Sequence, residues 1–366
     1  MTAMKPVLDV IIDANVVFLL AFGLWWLVQT AMARSPLATD FMTQLRLLRV
    51  VLFVVLLSPL LSFLAVAAGQ FLWPKTPITV ADVAVAAYLR GEISIPALQF
   101  EALLNTRSRV IDMVLSGEMP LLTTLFAVLA AGVILQATLT VRAARRVSGV
   151  IAGSYLWRRT PTTDIRLSDT VAIPFAARGL FRRHVVLPSS ILTNRNDLRV
   201  VLAHEFQHLR QGDVEWELAF ELLRPLLFWN PVYRLWKQAF DRLRELSCDQ
   251  AVIAARRITP RAYAECLLSF CERRVTRRWP RVMNVAFVRS GSRAARRALE
   301  TRVLALEHGR GLGQAQRIVP LLALLLAVGI VLAAASVRQP GDWSQDRLML
   351  STIVNLERLD AINRGY

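Results

Sequence analysis

The run VLAHEFQH places two histidines four residues apart, His204 and His208, with Glu205 directly after the first. Residues i and i+4 lie on one face of a helix, so both imidazoles can bind a single metal ion. Zinc lowers the pKa of a bound water to about 7, and a nearby carboxylate can take the proton of that water as it attacks a peptide carbonyl. The pattern predicts a zinc centre with His204 and His208 as ligands and Glu205 as general base.

A catalytic zinc ion usually has three protein ligands, so a third ligand must come from another part of the chain. The segment RLRELSCDQAV, which follows a helix break at Asn230 and Pro231, places Glu245 and Asp249 on one helical face. We predict that Glu245 is the third ligand and that Asp249 orients the ligands through hydrogen bonds. Without the upstream histidines, these two acids would be interpreted as a solvated pair on a helix surface.

Several other residues compete for roles near the metal. His184, in the predicted strand FRRHVVLP, and His308, in the loop LEHGRGLG, are alternative third ligands. Asp213, shortly after the second histidine, is a candidate partner that would orient a ligand, with a loop or cap role as the alternative. Tyr233, His184 and Arg244 are candidates for stabilising the oxyanion of the reaction.

A helix must present the two histidines together. The preceding segment NDLRVVLA predicts the start of that helix, with Asn196 or Asp197 as its cap. Leu198, Val201 and Leu202 form an apolar stripe that would pack it on a core.

The rest of the chain indicates a membrane protein, because 55% of its 366 residues are hydrophobic and its mean hydropathy is +0.43. Crossing a bilayer takes roughly 20 apolar helical residues. Four runs meet that length and predict four membrane-spanning helices: residues 10–32, 50–72, 119–141 and 318–337.

The first run has an alternative interpretation as a signal peptide, since Ala31, Met32 and Ala33 resemble a cleavage site. Its leading end carries Asp9 and Asp13, which suits a signal peptide poorly, so we predict a retained span.

The distribution of basic residues along the chain predicts its topology in the membrane. Residues 142–317 contain 32 Lys and Arg against 15 Asp and Glu, an excess that equals the net charge of +17 of the whole chain. By the positive-inside rule, this segment is cytoplasmic together with the short loop that carries Arg34, Arg46 and Arg49, and both termini are extracytoplasmic. The predicted division is a first span and loop (1–49), a second span (50–72), an outer loop (73–118), a third span (119–141), a cytoplasmic domain (142–317), a fourth span (318–337) and an outer tail (338–366).

The excess of basic residues in residues 142–317 bears on what this segment binds. An arginine-rich domain tethered between two spans lies beside an anionic leaflet, so we predict contact with lipid or plain solvation and no direct binding of nucleic acid.

Cys248, Cys266 and Cys271 all fall in this domain, which favours buried free thiols in a reducing compartment.

The chain resembles the BlaR/MecR-like antirepressor family, the membrane zinc metallopeptidases of the beta-lactam sensor-transducer type. The resemblance rests on HEFQHLRQGD, on FWNP before the next helix, on RELSCD and on PFAARGLFRRHVVLPSSIL, and on the layout of spans. It implies a multi-pass protein of the bacterial cytoplasmic membrane, with an α+β gluzincin-like domain between the third and fourth of four helices. It also implies that His204, His208 and Glu245 bind zinc and that Glu205 is the base.

The resemblance further implies a signalling role, in which an extracytoplasmic signal leads the protease to cut itself, a cytoplasmic repressor, or both. Family members that sense beta-lactams carry a penicillin-binding domain after the last span, whereas residues 338–366 are too few to form one and contain no S-x-x-K motif. We therefore expect another input through the outer loop and tail, as a sensor, a partner site or a membrane-surface element, with simple helix caps as the alternative. Residues 285–295 are a candidate self-cleavage region, with an ordinary linker as the alternative.

Two other classes stay open at this point. Quality-control proteases of the CAAX-processing or heat-shock type also join H-E-x-x-H to a later glutamate, although usually across longer inserts. A non-catalytic membrane receptor or scaffold would be the interpretation if the zinc site were degenerate, but both histidines and both glutamates are present. Whether the chain forms a homodimer is left open.

Overall fold

The structure is a computed structural model that describes residues 4–72, 80–116, 120–179, 181–255, 258–276, 293–307, 318–337 and 345–364. The chain is mostly helical, with one small sheet, which confirms the predominantly α fold class. The first half contains the helices α1 (Met4–Met32), α2 (Phe41–Leu72), α3 (Val80–Leu89), α4 (Ala97–Leu104), α5 (Thr106–Ser116) and α6 (Pro120–Ala152). The strands β1 (Tyr155–Arg159), β2 (Thr163–Ser168), β3 (Phe175–Arg178) and β4 (Arg183–Pro188) follow. The remaining helices are α7 (Arg195–Gln211), α8 (Asp213–Leu227), α9 (Pro231–Ala254), α10 (Pro260–Thr276), α11 (Arg293–Glu307), α12 (Ile318–Val337) and α13 (Gln345–Arg364).

Among the described residues, three helical segments are long and apolar enough to cross a membrane: Ile11–Met32, Phe41–Ser58 and Pro120–Ala152. The described apolar part of α12 is shorter and covers Val319–Ala334. The whole of α12 has 20 residues and is thus about 30 Å long, which matches a hydrocarbon core. The predicted spans 10–32 and 119–141 coincide with the first and third of these segments, whereas the predicted span 50–72 overlaps the second only over residues 50–58. The complete four-span layout stays a prediction.

The chain divides into two compact units, and the first comprises residues 1–27, 49–128 and 320–366. Here α13 packs on α3 and α4 through a small core of Val85, Ala97, Phe100, Leu350 and Val354. The Glu357 carboxylate accepts hydrogen bonds from the backbone N–H groups of Ala97 and Leu98 at 3.2 and 3.1 Å, and so caps α4. The predicted outer loop and tail thus form one packed element.

The same unit ties its loop helices to α1. Arg107 of α5 pairs with Asp9 at 2.8 Å and with Asp13 at 2.5 Å. The chain turns between α3 and α4 at Gly91, whose φ of 78° suits glycine.

The second unit comprises residues 28–48 and 129–319. Its sheet has the strand order β1-β2-β4-β3, with β2 parallel to β4 and the outer pairs antiparallel. One face of the sheet and helices α7, α9, α10 and α11 enclose a core that includes Ile165, Val185, Leu187, Ile191, Val201, Leu209, Val252, Tyr263 and Leu306. The predicted strand around His184 is confirmed as β4.

Local signals explain where the key helices begin and end. The cap of α7 is Asn194, whose side chain accepts from the N–H groups of residues 196 and 197, so the prediction of Asn196 or Asp197 as the cap is wrong. The helix starts at Arg195, two or three residues before the start that those caps imply. The helix ends at Gln211, and its C-cap Gly212, which has a φ of 72°, allows an immediate turn into α8.

Helix α9 begins as predicted at the break in FWNP: Asn230 caps it and Pro231 is its first residue. Cys248 and Cys266 are buried free thiols, as predicted. The side chain of Cys271, His308 and most of residues 285–295 lie outside the described part of the chain.

Candidate metal centre

Helix α7 places His204 and His208 side by side, both almost fully buried. Their Nε2 atoms lie 3.0 Å apart, and the ring planes are nearly perpendicular. Two ring nitrogens can approach in this way only if at most one of them carries a proton, so at least one lone pair faces the shared space. Glu205, between them in sequence, is also buried, at 6% exposure.

Helix α9 brings the Glu245 carboxylate to the same point. Its Oε2 lies 3.6 Å from His204 Nε2, and its Oε1 lies 3.8 Å from His208 Nε2. Bonds of 2.0–2.1 Å at tetrahedral angles place two zinc ligands about 3.3 Å apart, and the three separations bracket that value. Oε2 is buried and accepts no hydrogen bond in the described part of the chain, although the Arg302 Nη1 cation lies 3.2 Å from it. The donor set of two imidazoles and one carboxylate therefore fits a metal ion such as zinc.

Asp213, at the start of α8, orients His208. Its Oδ2 lies 2.6 Å from His208 Nδ1, and the carboxylate is 2% exposed. Burial favours the neutral ring, but the hydrogen bond with Asp213 and the charge of Glu245 outweigh it and raise the pKa of His208. A carboxylate at Nδ1 holds the proton on that nitrogen and leaves the Nε2 lone pair for a metal.

A chain of contacts orients His204 from the other side. The Tyr263 hydroxyl of α10 lies 2.8 Å from His204 Nδ1 and donates to Asp249 Oδ1. Arg302 of α11 donates hydrogen bonds to both carboxylate oxygens of Asp249, each at 2.7 Å. Because Tyr263 gives its proton to Asp249, its oxygen is free to accept from His204 Nδ1–H, and the Nε2 lone pair again faces Glu245.

Cations surround Glu245 and keep it ionised. Burial would favour the neutral acid, but Arg302 Nη1 at 3.2 Å and Arg244 Nη2 at 3.0 Å hold the pKa of Glu245 well below its usual value. Arg244 is itself anchored by Glu217 of α8 at 2.7 Å. The carboxylate is therefore available as an anionic ligand without first losing a proton.

Cys248 offers an alternative third donor, because one nitrogen of His204, one nitrogen of His208 and the Cys248 sulfur lie within 4.8 Å of one another. Its Sγ, however, is 3.3 Å from His204 Nδ1, the nitrogen that faces Tyr263 rather than His208. Burial and the charges of Asp249 and Glu245 also raise the pKa of the Cys248 thiol well above its usual value. The geometry at Nε2 favours Glu245.

The other sequence candidates lie in different surroundings. Tyr233 donates its hydroxyl to the Phe220 carbonyl at 2.7 Å, and His184 lies in the sheet with Nδ1 3.9 Å from Asp164. Arg244 does reach the centre, but through Glu245. Asp249 is 1% exposed, so it is not part of a solvated surface pair.

Sequence reasoning did not identify Tyr263 and Arg302, which complete the surroundings of His204. Each comes from a helix with its own packing pattern, and no spacing relative to HEFQH marks them. Tyr263 carries no such signal in the sequence, because its full burial, which requires a partner for the hydroxyl, is seen only in the structure. Arg302 carries none beyond its place among many arginines.

The sequence matches a model of a known protein family. The family model described as BlaR1 peptidase M56 matches residues 20–306, which is more than half of the chain and includes all the residues of the centre. No curated protein matches the chain.

Proposed function

Because the chain belongs to the BlaR1 peptidase M56 family, whose members are membrane metallopeptidases, we propose that it is a zinc-dependent endopeptidase that acts in transmembrane signalling. The proposed ligands are His204, His208 and Glu245. The observation that carries the proposal is the convergence of two Nε2 atoms and an ionised carboxylate within 3.0–3.8 Å of one another.

Zinc bound by these ligands would supply Lewis acidity, which activates water and polarises a peptide carbonyl. Glu205 is the general base: it takes a proton from the attacking water and returns it to the leaving amine as the C–N bond breaks. Asp213 holds the proton of His208 on Nδ1, and Tyr263 does the same for His204. Asp249 acts on His204 through Tyr263, which agrees with the orienting role proposed for it.

The proposed substrates are a cytoplasmic repressor and the chain itself, in keeping with the antirepressor role of the family that it resembles. Within the second unit, a contact links the α1–α2 connection and the start of α2 to the helix that carries Glu245. The Gln250 side chain, next to Asp249, donates to the Thr39 carbonyl at 2.9 Å and accepts from the Phe41 N–H at 3.1 Å. A movement of the α1–α2 connection would therefore reach the helix that carries Glu245.

The test is to express the tagged chain in membranes beside its Glu205→Gln variant. We expect fragments from the wild type and none from the variant, while both bind zinc equally, because Glu205 is not a ligand. Fragments that persist in the variant would refute the role of Glu205 in self-cleavage. A separate assay with added candidate repressor distinguishes cleavage in trans from self-cleavage.

A further inference from the structure

Helix α8 carries a continuous exposed apolar stripe. Leu218, Leu222, Leu226 and Trp229 follow one another at intervals of four, four and three residues, and each is 44–65% exposed. Leu235, on the first turns of α9, is 44% exposed as well. Such spacing places the side chains on one face of the α8–α9 hairpin, and a solvated surface rarely exposes leucine and tryptophan in an unbroken row.

The opposite face of the same hairpin is well packed. Phe220 of α8 and Val232, Tyr233, Trp236 and Phe240 of α9 are all buried. Phe220 and Phe240 pack with ring centroids 5.0 Å apart. The hairpin therefore has its own core, and the exposed stripe is a second apolar face that needs a different environment.

The end of this hairpin contacts a helix that is apolar enough to cross the membrane. A Cβ added at Gly132 of α6 would lie 2.4 Å from the Phe228 ring, so this ring packs directly on the backbone of α6. Gly132 lies ten residues before Arg142, the first charged residue of α6, which is about 15 Å along the helix. Half of a hydrocarbon core is also about 15 Å thick. If α6 spans the bilayer with Arg142 at its cytoplasmic boundary, Phe228 therefore lies near the middle of the bilayer.

The charges of the hairpin tip fit the cytoplasmic side of a bilayer. Residues 222–235 contain Arg224 and Arg234 and no acidic residue. Both arginines are exposed, and Arg224 lies 3.3 Å from Glu221, the residue just before the tip. Long arginine side chains can extend to the headgroups while their stems stay in an apolar layer. The cytoplasmic leaflet is anionic and attracts them.

We propose that the hairpin tip, residues 222–235, is inserted into the cytoplasmic leaflet of the bilayer beside α6, with lipid acyl chains against Leu222, Leu226 and Trp229. Three observations carry the proposal: the exposed stripe, the contact of Phe228 with the middle of an apolar helix, and the absence of acidic residues from the tip. None of them depends on catalysis.

Insertion of the hairpin tip sets the distance between the candidate metal centre and the bilayer. Glu245 lies 14 residues after Pro231, the first residue of α9, which is about 21 Å along the helix. A tip within an inner hydrocarbon half about 15 Å thick therefore holds the centre near the headgroup layer. The site would act on polypeptide segments at the membrane surface rather than in the open cytosol.

The experiment places an environment-sensitive fluorophore on Leu226→Cys in the full chain, in lipid nanodiscs. The background carries Glu205→Gln, so that the chain stays intact, and Cys271→Ser, while Cys248 and Cys266 are buried. The matched control is Leu304→Cys on α11, because Leu304 is 62% exposed and Leu226 is 61% exposed. The probes are iodide in the water phase and nitroxide-labelled lipid in the bilayer.

We expect the label at residue 226 to be quenched by the nitroxide lipid and shielded from iodide, and the label at residue 304 to show the reverse. Iodide quenching at residue 226 equal to that at residue 304 would overturn the proposal. Shielding from both probes would also overturn it, because a second copy or another protein would then cover the stripe. Failure of the proposed catalytic role would leave these results unchanged.

Discussion

Removing one hydroxyl should weaken zinc binding without touching a ligand. In Tyr263→Phe, His204 Nδ1–H loses its hydrogen-bond acceptor at 2.8 Å. The nearest alternatives are Asp249 Oδ1 at 3.5 Å, which is too far for a good hydrogen bond, and Cys248 Sγ at 3.3 Å, which is a weak acceptor. The ring then loses both its fixed tautomer and its orientation.

Loss of such an orienting contact typically weakens metal binding about 10-fold to 100-fold, or about 1.4–2.7 kcal/mol. The assay is zinc competition with a chelator of known affinity, on the purified chain in nanodiscs. Arg302 keeps both contacts with Asp249, so the fold around the centre should persist, and the apo variant should lose only the ~1–3 kcal/mol of a buried polar group left without its partner.

The control is Tyr233→Phe, which also removes a buried tyrosine hydroxyl but one that donates to the Phe220 carbonyl. We expect a similar loss of stability and no change in zinc affinity. Wild-type zinc affinity in Tyr263→Phe, or an equal loss in Tyr233→Phe, would refute the orienting chain from Asp249 to His204.

Three further predictions follow from other contacts. Gly132→Ala should destabilise the chain by about 1–3 kcal/mol, because the new methyl group overlaps the Phe228 ring. In a double-mutant cycle measured by thermal unfolding, Phe228→Ala should remove most of this destabilisation, and additive effects of the two substitutions would contradict the contact. Partial burial would raise the pKa of Glu215, but hydrogen bonds from Arg183 outweigh it and lower this pKa. The pair should therefore contribute up to about 1 kcal/mol to stability above pH 4.5, the ordinary pKa, and this contribution should be lost as the pH falls through the lower pKa of the folded state. Unfolding measured across this pH range should show a shallower loss of stability in Glu215→Gln than in the wild type, and identical slopes would exclude the contribution. Zinc at a hundredfold excess over its dissociation constant should stabilise the wild type by about 2.7 kcal/mol and His204→Ala hardly at all, and equal stabilisation of the two would place the metal elsewhere.

The sequence was most informative where short-range spacing decides geometry. The i, i+4 histidines and the break at Asn230 and Pro231 fix two helices, and each helix then carries its donors on a known face. Asp213 contacts His208 because Gly212 turns the chain at once into α8, so that their proximity in sequence becomes proximity in space.

Long-range packing was much harder to predict. Tyr263 and Arg302 reach His204 and Asp249 from helices that begin 50 or more residues after HEFQH, and no periodic pattern encodes those distances. The packing of α13 on α4 was equally hidden, because the interaction of Glu357 with the start of α4 joins residues 260 apart.

The most direct test of the metal centre is zinc X-ray absorption spectroscopy of the zinc-loaded Glu205→Gln chain. If His204, His208 and Glu245 bind the ion, the first shell contains only nitrogen and oxygen at about 2.0–2.2 Å, with the outer scattering of two imidazoles. A sulfur neighbour at about 2.3 Å would contradict this ligand set and place Cys248 in it instead of Glu245.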